Sequence, residues 1–228
     1  MNRLLLVEDD DSLGYILKEY LELNNFEVEW VKDGEKGIRK FQNRRFDLCI
    51  LDVMLPKKDG FALAGEMRTL NKATPFNFLT AKTLKVDKLK GFNLGCDDYI
   101  VKPVEEELLI ARIQAIIRRT AKNPSENSTG STYEIGRYLF DYPNQKLVLD
   151  GHIQIVTSRE AELLKMLCDH KNNLLERRKA LEAIWGDPDY FNRRSMDVFV
   201  SKLRKYLRHD PDVRIENVHG RGFILKER

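Results

Sequence analysis

One short apolar run constrains the fold of this chain more than any other feature. Leu48-Cys49-Ile50-Leu51 is uninterrupted by polar residues and ends abruptly at the carboxylate of Asp52, with a proline following at position 56. Such a run is typical of a parallel strand that helices cover on both faces. Ligands of parallel sheets bind beyond the carboxyl ends of the strands. The run therefore predicts an α/β fold with Asp52 at the ligand-binding edge of its sheet.

A second acidic group follows another apolar run in the same way. Residues 4–7 are apolar, and Glu8, Asp9 and Asp10 come directly after them. A single aspartate after a strand is most often a turn residue or a helix cap. Carboxylates at the ends of two adjacent strands, however, repel one another unless a hard cation lies among them, and Mg²⁺ prefers oxygen ligands and commonly accompanies phosphate. We predict a Mg²⁺ site that includes Glu8, Asp9 and Asp52.

Two more strand ends carry groups that suit phosphate. An apolar run ending at Leu79 is followed by the hydroxyl of Thr80, and another ending at Val101 is followed by Lys102 and a proline. A lysine ammonium binds phosphate as a compact point charge. Either residue alone would be an ordinary surface residue. Together with the acidic groups they predict phosphoryl transfer to Asp52, with Thr80 and Lys102 as further catalytic residues.

These motifs resemble the receiver domain of bacterial response regulators. The matching segments are residues 7–10, 51–56, 79–82 and 95–103. The resemblance implies that a sensor histidine kinase phosphorylates Asp52 and that the backbone carbonyl of Met54 joins the Mg²⁺ ligands. It also implies a switch in which Thr80 follows the phosphoryl group and the ring of Tyr99 turns inward.

The chain departs from the receiver pattern at three positions. Asn77 is a polar residue within the strand before Thr80, Cys96 replaces alanine, and Val104 replaces the usual aromatic residue. None of these changes removes a catalytic group.

Strands and helices alternate through residues 1–120. Apolar periodicity predicts a helix capped by Asp11 or Ser12, a strand at 26–31, and helices near 35–41, 61–70, 84–94 and 105–120. This alternation predicts a flavodoxin-like, five-stranded parallel sheet with strand order 2-1-3-4-5.

Length and composition indicate two domains in a cytoplasmic protein. A chain of 228 residues accommodates two domains of about 100 residues each. Residues 1–120 carry 20 basic and 20 acidic residues, so the net charge of +3 belongs to the second half. Three widely spaced cysteines predict reduced thiols. Without a long apolar run or the apolar core of a signal peptide, we expect no membrane association.

A polar segment separates the two predicted domains. Residues 121–132 contain no large apolar side chain, which predicts a flexible linker between a receiver at 1–120 and a second domain at 133–228. Short strands are predicted at 137–141, 146–149 and 153–156, the last two joined by an Asp-Gly turn. A capping box at Thr157 and Glu160 opens a helix, and further helices are predicted at 176–185 and 193–208.

The last of these helices predicts DNA binding. Residues 193–208 carry six basic residues and one acidic residue opposite an apolar face, and a hairpin with Arg221 between two glycines follows. This is the pattern of an α+β winged helix-turn-helix, whose third helix enters the major groove while Arg221 enters the minor groove. Residues 194–207 and 218–223 resemble the effector domain of the OmpR/PhoB family, its RprY-type members in particular. The predicted DNA contacts are Arg193, Arg194, Ser201, Lys202, Lys205 and Arg221.

The resemblance also implies protein partners. Residues 84–94 and 105–119, with the strand between them, would form a two-fold homodimer face cross-linked by salt bridges. The expected partners on this face are Lys88, Asp97, Asp98, Glu107 and Arg112. The loop at 186–192 would contact RNA polymerase. An ordinary solvated surface is the competing interpretation of the charged helices, including the basic one.

We therefore predict a response regulator and not an enzyme. Phosphorylation of Asp52 would promote receiver dimerisation and bring two winged-helix domains onto adjacent half-sites of double-stranded promoter DNA. The alternative is a phosphorylation-independent regulator whose receiver serves only as a dimerisation module. A haloacid-dehalogenase-type phosphatase is the enzymatic rival, but it requires a second aspartate where Met54 stands.

Overall fold

The computed structural model describes residues 1–120, 132–185 and 190–227, without the side chains of residues 119, 120 and 190–194. The chain forms two compact units, residues 1–121 and 122–228. The predicted linker lies outside the described residues, except for Thr132. Within the described ranges, no helix has an apolar stretch long enough to cross a membrane.

The first unit alternates strands and helices as the apolar runs predicted. Its elements are β1 (Asn2–Val7), α1 (Asp11–Leu23), β2 (Phe26–Val31), α2 (Gly34–Asn43), β3 (Leu48–Leu51), α3 (Gly60–Leu70), β4 (Phe76–Thr80), α4 (Lys85–Asn93), β5 (Asp98–Val101) and α5 (Glu106–Thr120). The strands pair in parallel in the order β2-β1-β3-β4-β5. The predicted fold and strand order are confirmed.

Burial on both faces explains the unbroken apolar run of β3. All four of its residues are buried, and one face packs in a core that includes Leu17 of α1 and Ile113 of α5. The parallel register places Val7 beside Leu51, and the amide of Asp52 donates to the carbonyl oxygen of Val7 at 2.9 Å. The strands β1 and β3 therefore end level with one another, which brings their acidic residues to the same edge.

The prediction that Asp11 or Ser12 caps α1 is wrong. The cap is Asp10, which has an extended backbone and accepts a hydrogen bond from the amide of Leu13 at 2.9 Å. Asp11 is already helical and forms an ion pair with Lys32. The third acidic residue after β1 therefore starts a helix.

Among its described residues, the second unit combines three helices with two antiparallel sheets. Its elements are β6 (Thr132–Ile135), β7 (Tyr138–Asp141), β8 (Lys146–Leu149), β9 (His152–Ile155), α6 (Ser158–Asp169), β10 (Leu175–Glu176), α7 (Arg177–Trp185), α8 (Tyr190–Leu207), β11 (Val213–Val218) and β12 (Gly222–Glu227). The sheets have the orders β6-β7-β8-β9 and β10-β12-β11. Three helices and a β11–β12 hairpin form the predicted winged helix-turn-helix.

Two strands of this unit were not predicted. The first, β6, begins at Thr132 inside the segment assigned to the linker, because alternating polar residues do not distinguish a half-exposed strand from a loop. The second, β10, is only two residues long and exists through its pairing with β12. The expected boundary of α7 at Glu176 is therefore one residue too early.

The basic helix begins earlier than predicted. Helix α8 starts at Tyr190 and not at Arg193. Three residues of the loop expected to contact RNA polymerase therefore belong to this helix, and positions 186–189 lie outside the described residues. The turn at Asp150 and Gly151 is present between β8 and β9, and both residues have positive φ angles, as a tight hairpin requires.

Candidate functional site

The centre of the candidate site is an ion-pair triad at the carboxyl edge of the parallel sheet. The Lys102 Nζ atom lies 2.6 Å from Asp52 Oδ2 and 2.6 Å from Glu8 Oε2. Both carboxylates are buried, Glu8 at 1% and Asp52 at 6% exposure. The strands β1, β3 and β5 end at the same edge of the sheet. Their ends therefore bring together three residues that are up to 94 positions apart in the chain.

An acidic cluster surrounds this triad. Carboxylate oxygens of Glu8, Asp9 and Asp52 all lie within 4.8 Å of one another. The remaining oxygen of Asp52, Oδ1, accepts a hydrogen bond from the amide of Met54 at 2.9 Å. Asp9 is exposed while the other two are buried, so a cation could keep some of its water on one side. This set of hard oxygen donors fits Mg²⁺.

Burial shifts the pKa values of the triad residues Glu8 and Lys102. Burial raises the pKa of the Glu8 carboxyl, and the hydrogen bond from Lys102 offsets only part of this effect. Burial by itself lowers the pKa of Lys102, but hydrogen bonds to Asp52 and Glu8 outweigh it and the net shift is upward. Lys102 therefore remains an ammonium cation at neutral pH, balancing part of the negative charge of the cluster.

Thr80 and Tyr99 lie on the neighbouring strands. Thr80 is fully buried, and its Oγ1 accepts a hydrogen bond from the amide of Lys82 at 3.3 Å. The ring of Tyr99 is only 7% exposed and packs 5.7 Å from that of Phe78, while its hydroxyl donates to the carbonyl oxygen of Lys82 at 3.1 Å. Both predicted switch residues therefore contact the same backbone segment, at Lys82. The tyrosine ring is in the inward position.

Close backbone packing holds the loop after Asp52. The amide of Gly60 donates to the carbonyl oxygen of Val53 at 2.9 Å, and a Cβ atom at position 60 would come within 2.0 Å of the Asp52 carbonyl oxygen. No residue other than glycine fits this approach. Asp59 caps α3 immediately before it. The N-terminus of α3 is thus held against the residue that the sequence predicts to be the phosphoryl acceptor.

The predicted dimer face contains fewer free charges than expected. Arg112 of α5 already forms an ion pair with Asp98 of β5 at 2.6 Å within the same chain. Glu107 is exposed, and Lys88 is half-buried. The same helical segments expose large apolar side chains that the charge pattern did not indicate, namely Leu84 at 65%, Val86 at 67% and Leu108 at 45%.

Asp97 does not lie on this face. It is 1% exposed, and its Oδ2 accepts from the amide of Phe76 at 3.1 Å and lies 3.8 Å from Arg68 Nη2. The guanidinium of Arg68 also donates to backbone carbonyl oxygens of the α3–β4 and α4–β5 connections, at residues 72, 74, 94 and 95. Asp97 and Arg68 therefore lock these connections together inside the unit. The assignment of Asp97 to the dimer face is corrected, since a buried, paired carboxylate cannot reach a second chain.

The apolar face of α8 is buried as the periodicity predicted. Met196, Phe199, Val200, Leu203 and Leu207 are at most 2% exposed, while Tyr206 is only partly buried. On the other face, Ser201 and Lys205 are exposed. The side chains of Arg193 and Arg194 are outside the described part of the chain.

Lys202 is held within its own unit and does not extend from the exposed face. Its Nζ lies 3.3 Å from Oε1 of Glu160, a carboxylate with no exposed surface, and 5.3 Å from the centre of the Phe199 ring. The other oxygen of Glu160 accepts from the amide of Thr157 and completes the capping box of α6. A buried charge left without a partner is costly, which keeps Lys202 directed inward.

Arg221 occupies the tip of the β11–β12 hairpin. Its side chain is exposed, and the neighbouring Gly220 has a φ angle of +70°, which favours glycine. The carbonyl oxygen of Arg221 accepts from the amide of Arg177 at 2.9 Å, which fixes the tip against the start of α7. An exposed guanidinium on an anchored tip can enter a narrow groove.

The sequence did not indicate the supporting roles of three residues, Arg68, Trp30 and Glu160. Arg68 and Trp30 stand in ordinary amphipathic contexts, and nothing in the pattern distinguishes them from surface residues. The indole of Trp30 donates to the backbone carbonyl of Glu8 at 2.9 Å and so holds the end of β1. Glu160 was predicted as a helix cap, but its contact with Lys202 across 42 positions could not be inferred from local spacing.

Comparisons with known proteins agree with both units. Residues 4–114 match the response regulator receiver domain, and residues 152–225 match the C-terminal domain of transcriptional regulatory proteins. The transcriptional regulatory protein RprY of Bacteroides fragilis is 48% identical over 98% of this chain and 94% of its own length. The response regulator ArlR of Staphylococcus saprophyticus is 33% identical over the full length of both chains. The structure of DrrB, an OmpR/PhoB homologue from Thermotoga maritima, has a TM-score of 0.52 at 27% identity and covers 99% of each chain.

Proposed function

The chain belongs to the two-component response regulators with an OmpR/PhoB-type DNA-binding domain, and we propose that transfer of a phosphoryl group to Asp52 switches it. The observation that carries the proposal is the contact of Lys102 with both Asp52 and Glu8 at 2.6 Å. Its relatives are transcriptional regulators and not enzymes. The chemistry at Asp52 therefore serves regulation.

The proposed donor is a phosphohistidine of a sensor kinase. A carboxylate oxygen of Asp52 attacks phosphorus in line, forming an acyl-phosphate P–O bond. The bond from phosphorus to the histidine nitrogen breaks, and the electron pair of that bond leaves with the nitrogen. Phosphoryl transfer proceeds mainly by positioning and charge stabilisation. Lys102 supplies a fixed positive charge beside the acceptor, and the amide of Met54 orients the Asp52 carboxylate.

The acidic cluster is the proposed Mg²⁺ site. Glu8, Asp9 and Asp52 provide carboxylate oxygens within 4.8 Å of one another, and the Met54 carbonyl would be a fourth protein ligand. A bound Mg²⁺ would neutralise charge on the transferring phosphoryl oxygens. One lysine ammonium cannot balance three carboxylates and an incoming phosphate, which supports a requirement for the metal.

Thr80 and Tyr99 are the proposed switch. The Thr80 hydroxyl can donate a hydrogen bond to a phosphoryl oxygen on Asp52, because β3 and β4 are adjacent. Such a contact would move the backbone at Lys82, because the Lys82 amide is hydrogen-bonded to Thr80 and the Lys82 carbonyl oxygen to Tyr99. Phosphorylation thereby biases a two-state equilibrium through a new charge of about −2.

The proposed output is a dimer on promoter DNA. Exposed apolar residues Leu84, Val86 and Leu108 support dimerisation through α4, β5 and α5, with Asp98, Glu107 and Arg112 as charged partners. In the second unit, Ser201 and Lys205 are exposed on α8 and Arg221 is exposed on the hairpin. We propose that α8 enters the major groove and Arg221 the minor groove, on half-sites about 10 to 10.5 base pairs apart. Lys202 would then position α8 through Glu160.

Phosphorylation with a small phosphodonor tests this function. Incubation of the full chain with acetyl phosphate and Mg²⁺ should add one acid-labile phosphoryl group, which intact-mass spectrometry detects. Asp52→Asn should abolish the addition. Asp59→Asn is the matched control, because this residue is an exposed carboxylate in the same loop and asparagine caps a helix as well as aspartate does. Equal labelling of Asp52→Asn would refute the assignment.

Phosphorylation-independent regulation is the second candidate. The inward, hydrogen-bonded position of Tyr99 favours it, since this is the position that we expected phosphorylation to produce. In that case Asp52→Asn and wild type should bind promoter DNA with equal affinity in the presence of acetyl phosphate. A phosphorylation-dependent gain in affinity that Asp52→Asn lacks would exclude it.

A further inference from the structure

A groove in the second unit has no role in the function proposed above. It lies between the β8–β9 hairpin and the C-terminal end of α8, and its volume is about 650 Å³. Small-molecule sites usually measure about 300 to 1,000 Å³. We call it the hairpin groove and define it by its apolar floor, Tyr138, Leu147 and Leu149, and its polar rim, His152, Lys205, Arg208 and His209.

The floor of the hairpin groove is apolar. Leu147 is 1% exposed and Leu149 is half-buried. The hydroxyl of Tyr138 donates to the carbonyl oxygen of Tyr206 at 2.9 Å and accepts from the amide of His209 at 3.1 Å. Because its polar atom is engaged on both sides, Tyr138 offers mainly its ring to an occupant. The floor therefore suits a hydrocarbon or aromatic body.

The rim of the hairpin groove carries two cations, Lys205 and Arg208, and two histidines. Lys205, Arg208 and His209 are exposed at the end of α8, where Arg208 Nε donates to Nε2 of His209 at 3.3 Å, and His152 is exposed on β9 across the groove. The only acidic lining residue among those described is Asp150, and it forms an ion pair with Arg137. Cations at a helix C-terminus also balance the helix dipole, which explains Lys205 and Arg208. His152 belongs to a strand, and its imidazole can donate a ring N–H to an anion in the groove.

We infer that the hairpin groove binds a small organic anion with an apolar body. The floor would bury the body while the rim binds the acidic group. Lys205 is both a rim residue and a proposed DNA contact. A bound anion would engage this ammonium, and anion binding and DNA binding would therefore oppose each other.

The dye 8-anilinonaphthalene-1-sulfonate tests this inference, since it combines a sulfonate with aromatic rings. Its fluorescence should rise as it binds the full chain. Leu149→Glu, which places a carboxylate on the floor, and Arg208→Glu, which reverses a rim charge, should each weaken binding at least about tenfold. Leu139→Glu is the matched control, because Leu139 is 44% exposed on the opposite face of the same sheet and does not line the groove. This variant should bind the dye like wild type.

Competition adds a test of charge. Decanoate should displace the dye from wild-type protein, while the neutral decyl glucoside should not. Arg208→Glu leaves the floor intact, so it decides the outcome if Leu149→Glu proves unfolded by circular dichroism. Unchanged affinity in Arg208→Glu, an equal loss in Leu139→Glu, or equal displacement by the neutral competitor would each overturn the inference.

Discussion

Arg112 of α5 lies 2.6 Å from Asp98 of β5 within a single chain. The pair is partly exposed, and the Nε atom of the same guanidinium is buried without a hydrogen-bond partner among the described residues. The Arg112 side chain is 41% exposed and the Asp98 side chain 15% exposed, so the guanidinium is the member of the pair that a second chain can reach.

Reversing the charge of Arg112 should weaken the proposed dimer. In a two-fold interface each change occurs twice, so Arg112→Glu should raise the dissociation constant of the phosphorylated dimer at least about tenfold. Sedimentation velocity measures this constant. Arg39→Glu is the control, because Arg39 is a 69%-exposed residue of α2 outside the proposed face. An unchanged constant for Arg112→Glu would assign dimerisation to another surface.

Mg²⁺ should stabilise the receiver through Asp9. A ligand that binds only the folded state raises the free energy of unfolding by about 2.7 kcal/mol when its concentration is one hundred times its Kd. Thermal unfolding should therefore shift upward with Mg²⁺ in wild type and much less in Asp9→Asn. Asp11→Asn keeps the cluster intact, because Asp11 is paired with Lys32 instead, and should respond like wild type. An identical Mg²⁺ shift in Asp9→Asn would remove this residue from the metal site.

Replacing Asn77 with an apolar residue should stabilise the first unit. Asn77 has no exposed surface, and neither polar atom of its amide has a hydrogen-bond partner among the described residues. Leaving such a group unsatisfied costs about 1 to 3 kcal/mol. Asn77→Val, with its better strand propensity, should raise the free energy of unfolding by about 1 kcal/mol or more. Urea denaturation measures the change.

The control for Asn77 is Asn71, an asparagine whose side chain forms a hydrogen bond. The Oδ1 of Asn71 accepts from the amide of Ala73 at 3.0 Å after α3. Asn71→Val should therefore give no gain in stability. A loss of stability in Asn77→Val would mean that its amide has a partner in solution.

Arg68 should be among the residues whose loss is most destabilising. Its guanidinium donates to several backbone carbonyls, stacks 4.3 Å from the centre of the Phe76 ring and pairs with the buried Asp97. Removing one partner of a buried pair costs about 3 to 5 kcal/mol. We expect a loss of this size in Arg68→Met by urea denaturation. Arg39→Met, at an exposed position, should change stability by less than about 0.5 kcal/mol.

Arg221 should contribute to sequence preference as well as affinity. If its guanidinium enters the minor groove, Arg221→Ala should lose most affinity on sites with narrow, A·T-rich flanks, where the negative potential is strongest. Binding to sites that differ only in these flanks measures the effect. Arg214→Ala changes an exposed arginine near the base of the same hairpin and should have little effect. An equal loss on every site would indicate a phosphate contact alone.

The architecture of the first unit, and which residues follow its strands at the carboxyl edge of the sheet, could be predicted from local sequence patterns alone. A buried parallel strand such as Leu48–Leu51 must be apolar throughout, so it is visible in the sequence as an apolar run. The residues directly after such a run lie at the ligand-binding edge of the sheet. The same holds for the apolar face of α8 and the capping box at Thr157. In each case the physical cause lies within a few residues of the pattern.

Which charged side chains point into the protein and which reach solvent became evident only from contacts between distant parts of the chain. Aspartate and lysine are usually found on protein surfaces. In this chain, however, Asp97 points inward to Arg68, and Lys202 points inward to Glu160. The two-residue strand β10 likewise exists only because β12 lies beside it. These outcomes depend on pairs of residues 29 to 48 positions apart, and the pairs persist because a buried charge or backbone group left without its partner is costly. No local pattern carries that information.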